Sequence, residues 1–185
     1  MLTWFIKRRL AAFEKRFGYD ASYMRELADI DLRAFMKFAR AANLSSYRRD
    51  VPPEARLGAA LAAVIAEDCG PCTQLCVTMA LAEGIEPRTI AALVRGDEAA
   101  MPDAAHLGYR FARATLAHDP GADELRDEIV QRWGKRALVS LAFAITASRL
   151  YPTLKYALGH GKACQRIVVA GEPVAPPQRR VAATA

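Results

Sequence analysis

Apolar residues recur through the first half of the chain at intervals of three and four. Ile6, Leu10, Phe13 and Phe17 share one face, with Lys7, Arg8, Arg9, Lys15 and Arg16 largely elsewhere around the turn. That is the pattern of an amphipathic helix over residues 2–17. Met24, Leu27, Ile30, Phe35 and Phe38 describe a second helix, with an N-cap at Asp20 and a stop at Asn43. Leu57, Leu61, Val64 and Ile65 mark a third, which must end near Glu67 because Gly70 and Pro71 follow. Pro71 suits the first turn of the next helix, whose stripe is Leu75, Cys76, Met79 and Ala80 up to Gly84.

The helical pattern continues. Pro87 opens a short helix to about Arg95, and Pro102-Asp103 opens another carrying Leu107, Phe111, Ala114 and Thr115 as far as His118. Residues 123–133 and 135–150 form two more, the second ended by Pro152, and no alternating run reads as a strand. The expected fold is therefore all-α. Residues 1–170 form one helical domain, with 1–45 as an N-terminal extension and 50–155 as its core. The proline-rich segment 171–185 lacks a periodic apolar face and reads as a mobile tail.

Composition narrows this picture. At 185 residues, 52% of them hydrophobic and 25% charged, the chain suits one buried core. The longest uncharged runs, 57–66 and 137–148, fall short of the roughly 18 residues that span a bilayer, so no transmembrane helix and no membrane partner are expected. The N-terminus puts apolar residues before basic ones, the reverse of a secretory signal, and implies a cytoplasmic protein. The net charge of +6 is concentrated at the ends: residues 1–50 carry eleven Lys or Arg against six acids, and residues 161–185 carry four against one. The middle is close to neutral, which argues against a nucleic-acid-binding core. The basic helix 2–17 reads as docking on its own domain or on a sister subunit, ahead of a membrane surface.

Chemistry concentrates at the cysteines. Cys69, Cys72 and Cys76 lie close together, and Cys164 stands apart. A helix N-terminus stabilises a thiolate through unpaired amides and the helix dipole, and Cys72 follows Pro71 directly. Two cysteines three apart at such a start can close a local disulfide, which makes Cys72 the nucleophile and Cys69 the resolver. Cys-Gly-Pro-Cys is also the thioredoxin tetrapeptide, but there it follows a buried strand, and residues 57–66 are helical and alanine-rich. Cys76 on the apolar stripe reads as a small buried hydrophobe. A thiolate metal site lacks a fourth ligand nearby, so neither metal nor cofactor is expected. Glu67 is the nearest carboxylate and the candidate base, although such a residue is more often solvated. His106, His118 and His160 fall on a polar face, in a turn and near a helix end, and none stands out as a base.

Three stretches together resemble the carboxymuconolactone decarboxylase family, in its alkylhydroperoxidase D-like branch. They are EDCGPCTQLC at 67–76, ALAEGIEPRTIAALVRGD at 80–97 and YRFARATLAHDP at 109–120, followed by the helix after Gly134. The resemblance covers about residues 50–155 and implies an oligomer of helical subunits, with residues 2–17 as extra interface. It implies a peroxidatic second cysteine, matched by Cys72, and a resolving first cysteine, matched by Cys69. It also implies a histidine four residues later and a glutamate one helix earlier; those positions hold Cys76 and Leu57. The expected function is a thiol-dependent oxidoreductase that reduces a hydroperoxide or disulfide at the expense of a thiol donor. The alternatives are a non-catalytic helical assembly or binding protein of the same fold and, last, a decarboxylase of a small cyclic acid.

Overall fold

In this computed structural model, helices carry about three quarters of the described residues, 2–161 and 167–177. The fold is all-α, as expected. In chain order the helices are α1 (Leu2–Phe17), α2 (Ser22–Ile30), α3 (Leu32–Ala42), α4 (Pro53–Ala66), α5 (Gly70–Ala82), α6 (Pro87–Arg95), α7 (Asp103–Ala117) and α8 (Ala122–Ala157).

The core forms around α4 and α7. Helix α4 is rich in alanine, and Ala55, Ala59, Leu61 and Ala63 are sealed from solvent. Small side chains let the two backbones approach closely, and glycine is required at two points. A Cβ on Gly58 would lie 2.3 Å from the Ala105 carbonyl oxygen, and one on Gly108 would lie 2.0 Å from that of Ala55. Leu93, Ile129 and Leu141 close the core from α6 and α8. Leu57, at the glutamate position of the resemblance, is one of its buried members.

The helix over 20–43 is two helices. Asp31 is extended (φ −155°, ψ 110°), and its carboxylate accepts from the Arg33 amide, so it ends α2 and caps α3. The break turns Ile30 outward, where it is 67% exposed. Asp20 instead accepts from the Ser22 amide at 2.9 Å just ahead of α2. The two helices expected over 123–133 and 135–150 are both present within α8, divided at Gly134, whose backbone is non-helical (φ 82°, ψ 170°), and the second extends beyond its expected end. It runs through Pro152 because its last turns are held from outside: Tyr156 donates to the Asp68 carbonyl, and Phe38 meets Tyr151 edge-on. Against the expectation from the sequence, α8 contains an 18-residue window of mean hydropathy 1.3, long and apolar enough, by length and composition alone, to cross a membrane. Of that window 39% is buried in the molecule.

A β-hairpin corrects the reading of the C-terminal region as strandless and, from residue 171, as a mobile tail. Strands β1 (Ile167–Val169) and β2 (Glu172–Val174) pair antiparallel, Ile167 opposite Val174. Ile167, Val169 and Val174 enter the core against α5 and α6. The Gln74 side chain joins the edge of β1 like another strand, donating to the Val168 carbonyl (3.0 Å) and accepting from its amide (2.7 Å). The rest of the expected tail, 178–185, and Cys164 lie outside the described residues.

Helix α1 buries no residue completely. Leu10, Phe13 and Phe17 lean on a small second core of Tyr19, Ala21 and Tyr23, which Leu75, Tyr151 and Leu154 also join. Leu2, Trp4 and Phe5, at the start of α1, are each 56% exposed.

Candidate active site

The chain reaches the dithiol through a tight turn. Glu67 ends α4, Asp68 adopts a left-handed conformation (φ 53°), and Cys69 is extended at the N-cap of α5. Thr73 returns to the Cys69 carbonyl through both its amide (2.9 Å) and its hydroxyl (3.1 Å), fixing the first turn. Pro71 occupies the first turn of α5, where the missing amide hydrogen removes no helical bond. Cys69 and Cys72, Cα atoms 5.3 Å apart, are joined as a disulfide. Both are buried, at 2% and 6% exposure.

The sulfur of Cys72 has a polar neighbour from a distant part of the chain. Tyr19, in the α1–α2 turn, places its hydroxyl 3.9 Å from Cys72 Sγ. The same oxygen lies 3.2 Å from the Tyr23 hydroxyl and accepts from Lys155 Nζ at 3.5 Å. Lys155 is 5% exposed, and its ammonium sits over the rings of Tyr19 (4.9 Å) and Tyr23 (5.2 Å). A phenol oxygen has two lone pairs and one proton. Lys155 donates to one lone pair, and where Tyr23 donates to the other the Tyr19 proton is directed at the Cys72 sulfur. Burial raises the pKa of both tyrosines above its ordinary value of 10.0, so both keep their protons through the neutral range.

Beside this group lies a cavity of about 310 Å³. Its walls come from the α1–α2 turn (Phe17, Tyr19, Tyr23), the start of α5 (Pro71, Gln74, Leu75) and the end of α8 (Lys155, His160). Tyr19 thus both lines the cavity and touches the dithiol. His160 pairs with Glu26 at 2.6 Å.

The other candidates from the sequence lie elsewhere. The Glu67 carboxylate is engaged by the Arg149 guanidinium. Cys76 is half-buried, and burial, only partly offset by the nearby charge of Arg56, pushes its thiol up to about 12. That environment suppresses thiolate formation. His106 pairs with Glu98 at 2.9 Å, beside Arg113, and His118 is the left-handed C-cap of α7. Sequence reasoning missed Tyr19, Tyr23 and Lys155. Their weak signal was a pair of tyrosines four apart and a lysine between Leu154 and Tyr156 in an otherwise apolar stretch.

No family model, curated protein or solved structure matches the chain. The functional reading therefore rests on the site itself.

Proposed function

We propose that the protein is a thiol-dependent oxidoreductase that reduces small hydroperoxides through the Cys69–Cys72 dithiol, and that residues 50–155 are an alkylhydroperoxidase D-like core. The observation that supports this most is the hydrogen-bonded group of Lys155, Tyr23 and Tyr19 ending on Cys72 Sγ, in which we assign Tyr19 as the proton donor. It offers, from the α1–α2 turn and the end of α8, the proton that a histidine and glutamate supply in the family resembled.

In the reduced protein the Cys72 thiolate attacks the distal oxygen of ROOH. An S–O bond forms, the O–O bond breaks, and RO⁻ takes a proton from Tyr19 to leave as ROH. The Cys69 thiol then attacks Cys72–SOH, the disulfide closes, and hydroxide leaves with the Cys69 proton as water. A dithiol reductant returns two electrons and two protons by thiol–disulfide exchange, and one of those protons passes from Cys72 to the Tyr19 phenolate, restoring the thiolate and the phenol for the next cycle. The burial of both sulfurs restricts the substrate to molecules small enough to enter the neighbouring cavity. A supply of dithiol reductant suits the cytoplasm. Exposed Leu2, Trp4 and Phe5 fit contact with a second subunit.

The test is to reduce the protein, add one equivalent of tert-butyl hydroperoxide, and follow disulfide formation by mass spectrometry. Wild type forms the Cys69–Cys72 bond, and Cys69→Ser stops at the Cys72 sulfenic acid. Cys72→Ser loses peroxide turnover by on the order of 1000-fold or more. Full turnover in Cys72→Ser sinks the proposal. One observation favours a non-catalytic helical assembly instead: two sulfurs buried this deeply are also what a structural cross-link needs. Native thiols that resist both peroxide and alkylation would establish that reading.

A further inference from the structure

We infer that the outward face of α1 docks on the surface of an anionic phospholipid bilayer. Leu2, Trp4 and Phe5 enter the headgroup layer, and Arg8, Arg9, Lys15 and Arg16 face the lipid phosphates. This goes beyond the proposed function, and binding does not require the thiols.

At about 100° per residue, α1 divides into two faces. Leu10, Phe13 and Phe17 look inward and settle on the core of Tyr19, Ala21 and Tyr23. Docking on its own domain, as expected from the sequence, is thus made by this face alone. The other two charged residues of α1 turn to α2 and the turn before it. Glu14 accepts from the Ala21 amide at 2.8 Å and pairs with Arg25, and Lys7 pairs with Asp29 at 2.6 Å. The exposed positions all fall on the opposite half of the helix: three large apolar side chains at its start, four cations along its length, Ala11 and Ala12 between them, and no acid.

The apolar end taken alone fits a second subunit, but the cations on the same face need negative charge. Among the described residues none of the four forms an ion pair. An α1-to-α1 contact between two copies would set these like charges against each other. The acid-rich first turns of α8 offer a second copy little, since Asp123 and Glu128 are already paired with Arg126 and Arg132. Single-stranded nucleic acid would satisfy the cations, but it also stacks on bare aromatic faces. Trp4 has the Arg8 guanidinium over its ring at 5.5 Å and Phe5 edge-on at 4.9 Å. A bilayer with anionic headgroups answers both parts of the face. Aromatic and aliphatic side chains gain at the headgroup level, and each Lys or Arg near the surface adds about 5-fold to partitioning. The sequence alone ranks a membrane surface behind docking on protein; the division of α1 into two faces reverses that order for the outward one. Phe17, at the end of α1, lines the cavity beside the dithiol, so docking brings that cavity near the lipid.

The experiment mixes the full chain with vesicles of phosphatidylcholine alone and with vesicles of equal parts phosphatidylcholine and phosphatidylglycerol, and reads binding by co-sedimentation. Trp4 emission is followed in Trp133→Phe, where it is the one remaining indole. Wild type binds the anionic vesicles at least about 30-fold more tightly than the neutral ones and is released as salt rises toward about 1 M. Trp4 emission moves to shorter wavelength on the anionic vesicles only. Arg8→Gln with Arg9→Gln weakens binding by about 20-fold, and Trp4→Ser with Phe5→Ser by about 10-fold or more. All four positions are exposed, so both variants keep the fold. Cys72→Ser binds vesicles like wild type, which separates failure of lipid docking from failure of the redox chemistry. No binding to anionic vesicles at low salt overturns the inference, and so does equal binding to the two kinds of vesicle. A Trp4 signal that answers to oligothymidylate, or to protein concentration, but not to lipid overturns it in favour of nucleic acid or a second copy.

Discussion

The α4–α7 contact and the dithiol end of the molecule follow opposite rules of construction. Between α4 and α7 the side chains are small, the backbones nearly touch, and Gly58 and Gly108 leave no room for an added carbon. At the dithiol end, large side chains from three distant segments meet around a cavity of about 310 Å³ and bring a lysine, two phenols and two sulfurs out of water. The first arrangement holds the frame rigid through packing alone. The second holds reactive groups at set distances and leaves space beside them, as a site must. Stability and chemistry are thus assigned to different ends of α4, α5 and α8.

The sharpest way to break this contrast is at Gly108. A methyl there meets the Ala55 carbonyl, and neither backbone can yield without moving a helix. Gly108→Ala is expected to cost about 3 kcal/mol of unfolding free energy in urea titrations. A loss under 0.5 kcal/mol would show that the two helices slide freely.

The next effect lies at the other end. Tyr19→Phe keeps the ring and removes only the hydroxyl that touches Cys72, Tyr23 and Lys155. Peroxide turnover should fall about 100-fold, the usual worth of a positioned acid. Stability should fall by only about 1 kcal/mol, for one lost hydrogen-bonding group. Comparable losses in Gly108→Ala and Tyr19→Phe by both measures would erase the distinction between the two regions.

The two regions also differ in how legible they were. Helix positions followed from local periodicity, and the dithiol was visible because Cys69, Pro71 and Cys72 make their geometry within one turn. The partners of Cys72 were hidden because Tyr19 and Lys155 lie 53 residues before and 83 residues after it, and only the folded chain brings them together. Glu67 stood out for its nearness in sequence, yet its carboxylate turns to Arg149. The hairpin was missed because three-residue strands are too short to show alternation and Pro173 resembles a breaker. Asp31 lies inside the span that periodicity joins into one helix, where an aspartate that can cap the next helix competes with continuing the first.

Cys76 sharpens the comparison within α5 itself, since it lies one turn from Cys72 but in an environment that opposes ionisation. The thiol ionises near 9.0 when unperturbed and is pushed up to about 12 in the fold. As pH rises past 9 the unfolded chain loses this proton first, so the native state holds more protons and its stability declines. That contribution is fully present below pH 9 and is lost on the way to 12; the raised tyrosines Tyr19, Tyr23, Tyr109 and Tyr151 add a further loss above pH 10. Cys76→Ala should reduce the drop in stability between pH 8 and pH 10 by about 1 kcal/mol. An unchanged drop would mean that the thiol is hydrated in the native protein.

Glu67 carries the smallest expected effect, and it separates nearness in sequence from nearness in space. If Glu67 were the base for Cys72, Glu67→Gln would slow turnover by about 100-fold or more, as the loss of general-base catalysis does. With its carboxylate on Arg149, the substitution only weakens a partly exposed ion pair, worth about 0.5 kcal/mol. Turnover should then stay within about 3-fold of wild type, measured beside Tyr19→Phe under the same conditions. Glu67→Gln falling as far as Tyr19→Phe would return the proton transfer to the turn before the dithiol and leave the α1–α2 tyrosines as packing.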